Sequence, residues 1–239
     1  MFGRFLELAI ATADIAASVQ FYERLGFTQL ITNDAWPHRY GVVTDGRIHI
    51  GLHERVMPSP AVTFVLPGLR EARSRLLAAE FEPEFERLGE EDLHQLRLGD
   101  PGGMAVMLLE ARTYSPGAAT ARRDSACGYF LHLGLAQRDF ARARGFWERG
   151  GFVALPELDE PYAHLPLTSD ALDLGFHRPR LLDVPVLVFE CDDPAQQRAQ
   201  LAARNVPVSD ELPRGMTAAA VTVIEAPEGT LLWCLRTSV

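Results

Sequence analysis

Residues 21–27 read FYERLGF and residues 146–152 read FWERGGF. The two stretches lie 125 residues apart, since 146 − 21 = 125, and Glu7 and His132, in the apolar segments before them, keep the same offset. A repeat at a fixed period indicates a structural unit that has been duplicated. The chain is therefore predicted to consist of two equivalent halves.

Each half is predicted to open with a strand and a helix. In the first half, the apolar strand 5–11 leads to Asp14, whose carboxylate can accept from the open N–H groups of a helical first turn. Apolar side chains then recur at helical spacing from Ile15 to Leu25. Gly26 has the position of a glycine that ends a helix in the left-handed conformation.

Three strands are predicted after this helix, and the last two are joined by Asp45-Gly46, a pair typical of a two-residue type I′ turn. The same order recurs along the chain and defines units of one strand, one helix and three strands (βαβββ). The predicted units are 5–54, 60–111, 129–178 and 185–237. The predicted domains are 1–112 and 129–239, joined by a linker at 113–128 whose Ser, Pro and Gly content is typical of a connector.

Composition limits the classes of partner. The chain has 23 Lys and Arg against 32 Asp and Glu, a net charge of −9, so we expect neither nucleic acid nor an anionic membrane as a partner. No apolar run reaches the roughly 20 residues of a membrane span. Three cysteines without CxxC spacing predict buried thiols in a cytoplasmic protein. We expect a monomer or homodimer that binds a small molecule, and nucleotide-binding and Ser-hydrolase motifs are missing from the sequence.

These motifs resemble those of the vicinal oxygen chelate superfamily, which includes glyoxalase I, bleomycin-resistance proteins, fosfomycin-resistance enzymes and extradiol dioxygenases. The resemblance is carried by the strand–Asp–helix opening that ends in residues 21–27, by its repeat at 146–152, and by the turn DPGG at 100–103 before a final strand. It implies an α+β fold in which four βαβββ units form two pseudo-equivalent domains, with half-barrel sheets around cavities. Because this fold hosts lyases, dioxygenases, thiol transferases and binding proteins, it specifies no single activity.

In metal-dependent relatives, as the resemblance implies, the ligands come from the first and last strands of each unit. The matching positions here, taken unit by unit, are Glu7 and Gly51, Ala61 and Met107, His132 and Gly175, and Val186 and Trp233. A divalent metal needs about three or four protein donors. However the units pair, each site keeps one donor, Glu7 or His132. The chain is therefore predicted to lack the family's metal site and to use no cofactor.

A shifted metal site is an alternative, because residues two apart on a strand share a face. Glu7 with His49 and His53 would form one three-donor set of the kind used by non-haem iron or zinc enzymes. In the second half, the equivalent set would be His132 with Asp173 and His177.

The repeated glycine and histidine pairs have two other interpretations. Gly51 and Gly175 could open a cavity floor to a flat ligand, with His53 and His177 at the rim. Alternatively, the motif survives from the duplication and has only a structural role.

Glu7 and His132 are the candidate catalytic residues, because a polar group on a concave sheet face needs a partner or a ligand. Met107 and Trp233 would either fill the core or form an apolar wall for a ligand. The full set of candidate ligand-binding residues is Glu7, Tyr40, His49, Gly51, His53, Met107, His132, His164, Asp173, Gly175, His177 and Trp233.

The function favoured by the sequence is metal-independent binding of a small molecule, for sequestration or sensing. One alternative is a glyoxalase-like lyase or dioxygenase, which would use either the shifted metal set or Glu7 or His132 as a metal-free acid or base. Another is a structural module whose cavities are filled.

Overall fold

The structure, a computed structural model, describes residues 1–32, 36–91, 93–111, 125–160 and 162–236. These residues form fifteen strands and four helices in two mixed sheets. The α+β class predicted from the sequence is confirmed.

The first half forms one eight-stranded sheet. Its elements are β1 (Arg4–Ala11), α1 (Ile15–Leu25), β2 (Thr28–Leu30), β3 (Tyr40–Thr44), β4 (His49–His53), β5 (Ala61–Val65), α2 (Leu69–Ala78), β6 (Phe85–Arg87), β7 (Gln95–Gly99) and β8 (Ala105–Leu109). The strand order is β2-β3-β4-β1-β5-β8-β7-β6. Because β1 pairs with β5, the first and second units share this sheet.

The second half forms a seven-stranded sheet. Its elements are β9 (Tyr129–Ala136), α3 (Phe140–Gly150), β10 (Val153–Ala154), β11 (Leu165–Thr168), β12 (Leu174–His177), β13 (Val186–Glu190), α4 (Pro194–Ala203), β14 (Val221–Glu225) and β15 (Leu231–Leu235). The order β10-β11-β12-β9-β13-β15-β14 repeats that of the first sheet without its last edge strand.

The fourth unit therefore departs from the predicted βαβββ pattern, because only two strands follow α4 in the part of the chain that the structure describes. An isolated bridge between Ser209 and Val223 lies where the missing strand would pair. Pro207 and Pro213 flank this bridge. Proline has no N–H to donate to a sheet, so neither Pro207 nor Pro213 can extend this pairing, although Pro83 precedes β6 in the first half in the same way.

The turn between β3 and β4 also differs from its prediction. Thr44 pairs with His49, so the connection has four residues and is not a two-residue type I′ turn. The Asp45 carboxylate accepts from the N–H groups of Arg47 and Ile48, at 2.8 and 3.0 Å, and so stabilises the longer turn. The hairpin itself forms as predicted.

The helix boundaries follow the predicted capping residues. Asp14 accepts from Ala17 N at the start of α1, and Gly26 ends that helix with φ of 95°. The second half repeats both caps with Asp139 and Gly151 around α3. These shared caps give the two halves the same strand–helix opening.

One continuous apolar core joins the two halves. Phe2, 1% exposed, lies between them, with its ring centroid 5.0 Å from that of Phe81 and 5.7 Å from that of Phe146. The backbone of Phe2 also donates to Gly150 O at 3.0 Å. The N-terminal segment of the first half is thus buried against α3 of the second.

Two carboxylates, the buried Asp100 and the half-buried Glu228, connect each half to the helix of the other. Asp100, in the turn before β8, accepts from Trp147 Nε1 of α3 at 3.0 Å. Glu228, in the turn before β15, accepts from Tyr22 OH of α1 at 2.7 Å and from Ser18 Oγ at 2.8 Å. Tyr22 and Trp147 occupy the same position of the sequence repeat, so these contacts are related by the duplication.

The two faces of the first sheet differ in what covers them. Leu8 and Ile10 of β1 belong to the core that includes the helices. The opposite face, which we call the concave face after the predicted half-barrel, carries Glu7 and Ala9, and small side chains such as Ala61 pack there. The predicted cavity-facing position of Glu7 therefore lies on the face away from the helices.

Residues 112–124, most of the predicted linker, lie outside the described part of the chain. The division into domains 1–112 and 129–239 stays a prediction. Among the described helices, none has the length and apolarity needed to span a membrane.

Candidate functional site

Glu7 is buried on the concave face of the first sheet, at 1% exposure. A register shift between Phe5 and Glu7 in the β1–β5 pairing is consistent with a bulge, and Glu7 lies opposite Thr63. Its carboxylate lies directly above Gly51 of β4, where an added Cβ would collide with the carboxyl atoms. The interpretation that Gly51 leaves space for a ligand is therefore wrong, because the Glu7 side chain fills the space above this glycine.

A chain of hydrogen bonds links Glu7 to the protein surface. His53 Nε2 lies 2.8 Å from Glu7 Oε1, and Tyr40 OH donates to Glu7 Oε2 at 2.5 Å. With Glu7 as carboxylate, His53 donates through Nε2 and accepts through Nδ1. His38 Nε2 then donates to His53 Nδ1 at 2.9 Å. Burial, together with the nearby His53 and Arg55, lowers the pKa of the partly exposed His38 imidazole.

A small cavity of about 30 Å³ adjoins Glu7. Its lining residues are Glu7, Ala9, Trp36, His53, Arg55, Met57, Thr63, Gln95, Met107 and Leu109. Trp36 covers this region, with its ring centroid 5.2 Å from that of His53 and 5.8 Å from that of Tyr40. We call this space the Glu7 cavity.

Two polar atoms beside the Glu7 cavity lack partners. Within the described residues, Trp36 Nε1 and Thr63 Oγ1 are buried without a hydrogen bond. Buried polar groups are nearly always satisfied, by protein, water or ligand. The arrangement therefore has unused donor capacity next to the Glu7 carboxylate.

The second half builds a different cluster at the equivalent positions. His132 of β9 has its Nε2 2.9 Å from Tyr162 OH, and its ring stacks on that of His164 at 5.3 Å. His177 of β12 lies beside Trp233 of β15, with ring centroids 6.2 Å apart. All five side chains are at most 8% exposed. Aromatic rings thus occupy the space around His132.

Burial decides the charge of these histidines. Desolvation, reinforced by the neighbouring His164 and His177, lowers the pKa of His132 to about 3. Desolvation also lowers the pKa values of His164 and His177. Burial raises the pKa of Tyr162. The cluster is therefore neutral at pH 7.

Apolar packing fills the rest of this second concave face. Trp233, at 1% exposure, belongs to a cluster with Tyr162 and surrounding aliphatic side chains. Gly175 provides room for His132, since an added Cβ would lie 2.5 Å from His132 Nε2. Gly175, like Gly51, therefore accommodates a neighbouring side chain of the protein, and its space is not open to a ligand.

Neither half provides the donors of a metal centre. Within the described residues, no three His, Cys, Asp or Glu side chains are grouped so as to hold a metal ion. In the first half, the donors of Glu7 and His53 bond to each other, and His49 lines a different cavity. In the second half, Asp173 lines the same cavity as His49, away from the rings around His132. The shifted metal sets are therefore wrong, and the side chains present do not fit a divalent cation.

The predicted site residues divide among three places. The Glu7 cavity and its hydrogen bonds bring together Glu7, Tyr40, Gly51, His53 and Met107. The second cluster brings together His132, His164, Gly175, His177 and Trp233. His49 and Asp173 belong to a cleft between the halves. The ligand-binding role of each of these residues stays a prediction.

Sequence reasoning missed Trp36, His38, Thr63 and Tyr162. The repeat contains a signal for two of them. At the offset of 124, His38 corresponds to Tyr162 and Tyr40 to His164. Each pair lies two residues apart in a loop or at a strand start, and both members point into the same cluster.

No family model and no curated protein sequence matches this chain. Several solved structures match its fold. A catechol 2,3-dioxygenase superposes with a TM-score of 0.59 at 16% identity, over 98% of this chain and 88% of that one. A homoprotocatechuate 2,3-dioxygenase variant from Brevibacterium fuscum gives 0.63 at 17%, over 99% and 72%. The enzyme of that name from Arthrobacter globiformis gives 0.59 at 17%, over 98% and 80%.

These similarities establish the fold. The structural neighbours are extradiol dioxygenases, members of the vicinal oxygen chelate superfamily, and the two-sheet arrangement of this chain agrees with theirs. The resemblance inferred from the sequence motifs is thus supported at the level of architecture. At 16–17% identity, it carries no activity to this chain.

Proposed function

We propose that this protein binds a small, neutral organic molecule at the Glu7 cavity without a metal ion. The observation that carries the proposal is a pair of buried polar atoms there, Trp36 Nε1 and Thr63 Oγ1, which have no hydrogen-bond partner among the described residues. Leaving a buried polar group unsatisfied costs about 1–3 kcal/mol. A ligand oxygen that accepts from both atoms would remove this penalty on binding.

The cavity defines the chemistry of such a ligand. Its volume of about 30 Å³ suits a small, oxygen-bearing terminal group of a ligand. The Glu7 carboxylate and the Arg55 guanidinium both line the cavity, and beside Glu7 a neutral carbonyl or hydroxyl is favoured over a carboxylate. Met57 and Met107 at the wall suit an apolar body that extends outward from this group.

The biological role that follows is sequestration or sensing. A dioxygenase activity like that named for the structural neighbours would require a metal centre, for which the described side chains lack the donors. The alternative of a purely structural role suits the second half, where side chains fill the concave face, better than the first half, where the Glu7 cavity remains.

The test is a thermal-shift screen of small aldehydes, ketones, amides and alcohols against the wild type and the variants Thr63→Val and Trp36→Phe. Removing the orphan hydroxyl should leave the ligand-free protein as stable or more stable, while the shift produced by each hit falls. The control is Thr28→Val, on the exposed face of β2. Hits that stabilise both cavity variants as much as the wild type would contradict the proposal.

A metal-free acid–base reaction is a second candidate, favoured by the continuous chain from Glu7 through His53 to His38. Such a chain can pass a proton between the cavity and solvent. The measurement is exchange of ligand C–H protons with D₂O, followed by NMR with the hits. Exchange that is lost in His53→Gln supports catalysis. Binding without exchange would support the binding function and contradict catalysis.

A further inference from the structure

A larger cavity lies between the two halves, away from both concave faces. Its volume is about 340 Å³, in the range of small-molecule sites. Two turns border it, the β3–β4 turn with Arg47 and the β11–β12 turn with Asp170. We call this space the inter-half cleft.

The residues that line the inter-half cleft are related by the duplication. At offsets of 124 or 125, the equivalent pairs are Phe5 with Phe130, Gly46 with Asp170, Arg47 with Ala171, and His49 with Asp173. Both halves thus contribute the same positions to one space, as on a two-fold axis. The aromatic pair is conserved between the halves, whereas the polar pairs have diverged.

This divergence has made the cleft dipolar. The turn from the first half supplies Arg47 and His49, and the turn from the second half supplies Asp170 and Asp173. The two carboxylates occupy positions where the first half has a glycine and a histidine. Arg47 and the two carboxylates therefore lie on opposite turns of the same cavity, while the buried Asp45 carboxylate near Arg47 and His49 is bonded to its own turn and does not line the cavity.

The basic side has capacity for a ligand. The Arg47 guanidinium lies 3.7 Å above the Tyr129 ring and donates through Nε to Phe130 O at 3.2 Å. These contacts hold the side chain in place, and among the described residues no carboxylate forms an ion pair with it within 4.0 Å. His49 Nε2 is buried without a hydrogen-bond partner in the described part of the chain.

We propose that the inter-half cleft binds a zwitterion, with its anionic group at Arg47 and His49 and its ammonium group at Asp170 and Asp173. An ω-amino acid has this chemistry, because a short alkyl spacer separates a carboxylate from an ammonium. The spacer would lie along Phe5, which belongs to the lining. Arginine and carboxylate pairs form strong, charge-assisted hydrogen bonds. The inter-half cleft and the Glu7 cavity share no lining residue.

The experiment uses ω-amino acids of increasing length, from glycine to 6-aminohexanoate, with butyrate and butylamine as single-charge probes. Binding is followed by ¹H–¹⁵N NMR and calorimetry on the full chain. We expect one length to bind at least about tenfold more tightly than either single-charge probe, and to shift the amide signals of Gly46 and Ala171. Equal affinity for butyrate or butylamine, or no saturable shifts with any probe, would overturn the proposal.

Variants locate the site. Arg47→Gln and Asp170→Asn should each weaken the best zwitterion about tenfold, and both side chains are exposed, so the fold should tolerate the changes. Ala171→Arg should abolish binding, because it restores the symmetric charge on the acidic turn. Arg144→Gln on α3 is the matched control. Thr63→Val, which alters the Glu7 cavity without removing a charge, should leave this affinity unchanged, which separates the result from the Glu7 cavity. Unchanged affinity in Arg47→Gln and Ala171→Arg would refute the site.

Discussion

Replacing Gly51 by alanine should destabilise the protein far more than the same substitution does at an ordinary strand glycine. The added Cβ would collide with the Glu7 carboxyl group, so this carboxylate must move away from His53 and Tyr40. Each hydrogen bond to a charged group contributes about 1.5–3 kcal/mol. Losing both bonds therefore predicts a decrease of about 3–6 kcal/mol in the free energy of unfolding.

Urea unfolding of four proteins measures this effect: wild type, Gly51→Ala, Glu7→Ala, and the double variant. Because Glu7→Ala removes the obstacle, adding Gly51→Ala to it should cost less than about 1 kcal/mol, and the difference is the coupling energy. Gly41→Ala in the adjacent strand is the control, since its Cβ would meet only ordinary contacts at 3.6 Å or more. An equal cost of Gly51→Ala in both backgrounds, or a cost no larger than that of Gly41→Ala, would refute the reasoning.

Three further predictions concern the contacts between the halves, acid stability and metal content. Tyr22→Phe should lower the unfolding free energy by about 1.5–3 kcal/mol, because Glu228 loses a buried donor; a loss below about 0.5 kcal/mol in urea unfolding would count against it. The depressed pKa of His132 favours the neutral form in the folded state, so stability should fall as pH drops from 6.5 towards about 3, with a slope of up to about 1.4 kcal/mol per pH unit from this group. His132→Gln should flatten this pH dependence in acid-unfolding curves, and an unchanged curve would contradict the assignment. Elemental analysis of untagged protein should find less than about one equivalent of transition metal, and a stoichiometric metal lost on replacing His53 would overturn the metal-free account.

The sequence predicted the strand–helix opening of each half because the signals for it are local. Asp14 and Asp139 cap their helices, Gly26 and Gly151 end them, and each of these contacts involves residues within one or two turns. The constant offset between the halves then allowed the elements of the first half to be assigned to the second. The prediction failed in the fourth unit, where the described segment between α4 and β14 pairs with β14 at a single position instead of forming a strand like β6.

The site was harder to predict because it depends on register. The sequence cannot reveal that Glu7 lies above Gly51, since this follows from the pairing of β1 with β4 and from the register shift at Phe5. Both glycines were for this reason misread as open space. His49 and Asp173 were assigned to separate sites, yet both line the cleft where the halves meet. Contacts between duplicated halves leave no spacing pattern in either half.

The central claim is that a small neutral molecule binds at the Glu7 cavity without a metal ion. It is tested most directly by a crystal structure of chelator-treated protein soaked with the strongest hit of the screen. The account predicts density for a ligand oxygen at about 2.7–3.2 Å from Trp36 Nε1 and Thr63 Oγ1. Ligand density elsewhere, or a ligand held through a metal ion on Glu7 and His53, would contradict it.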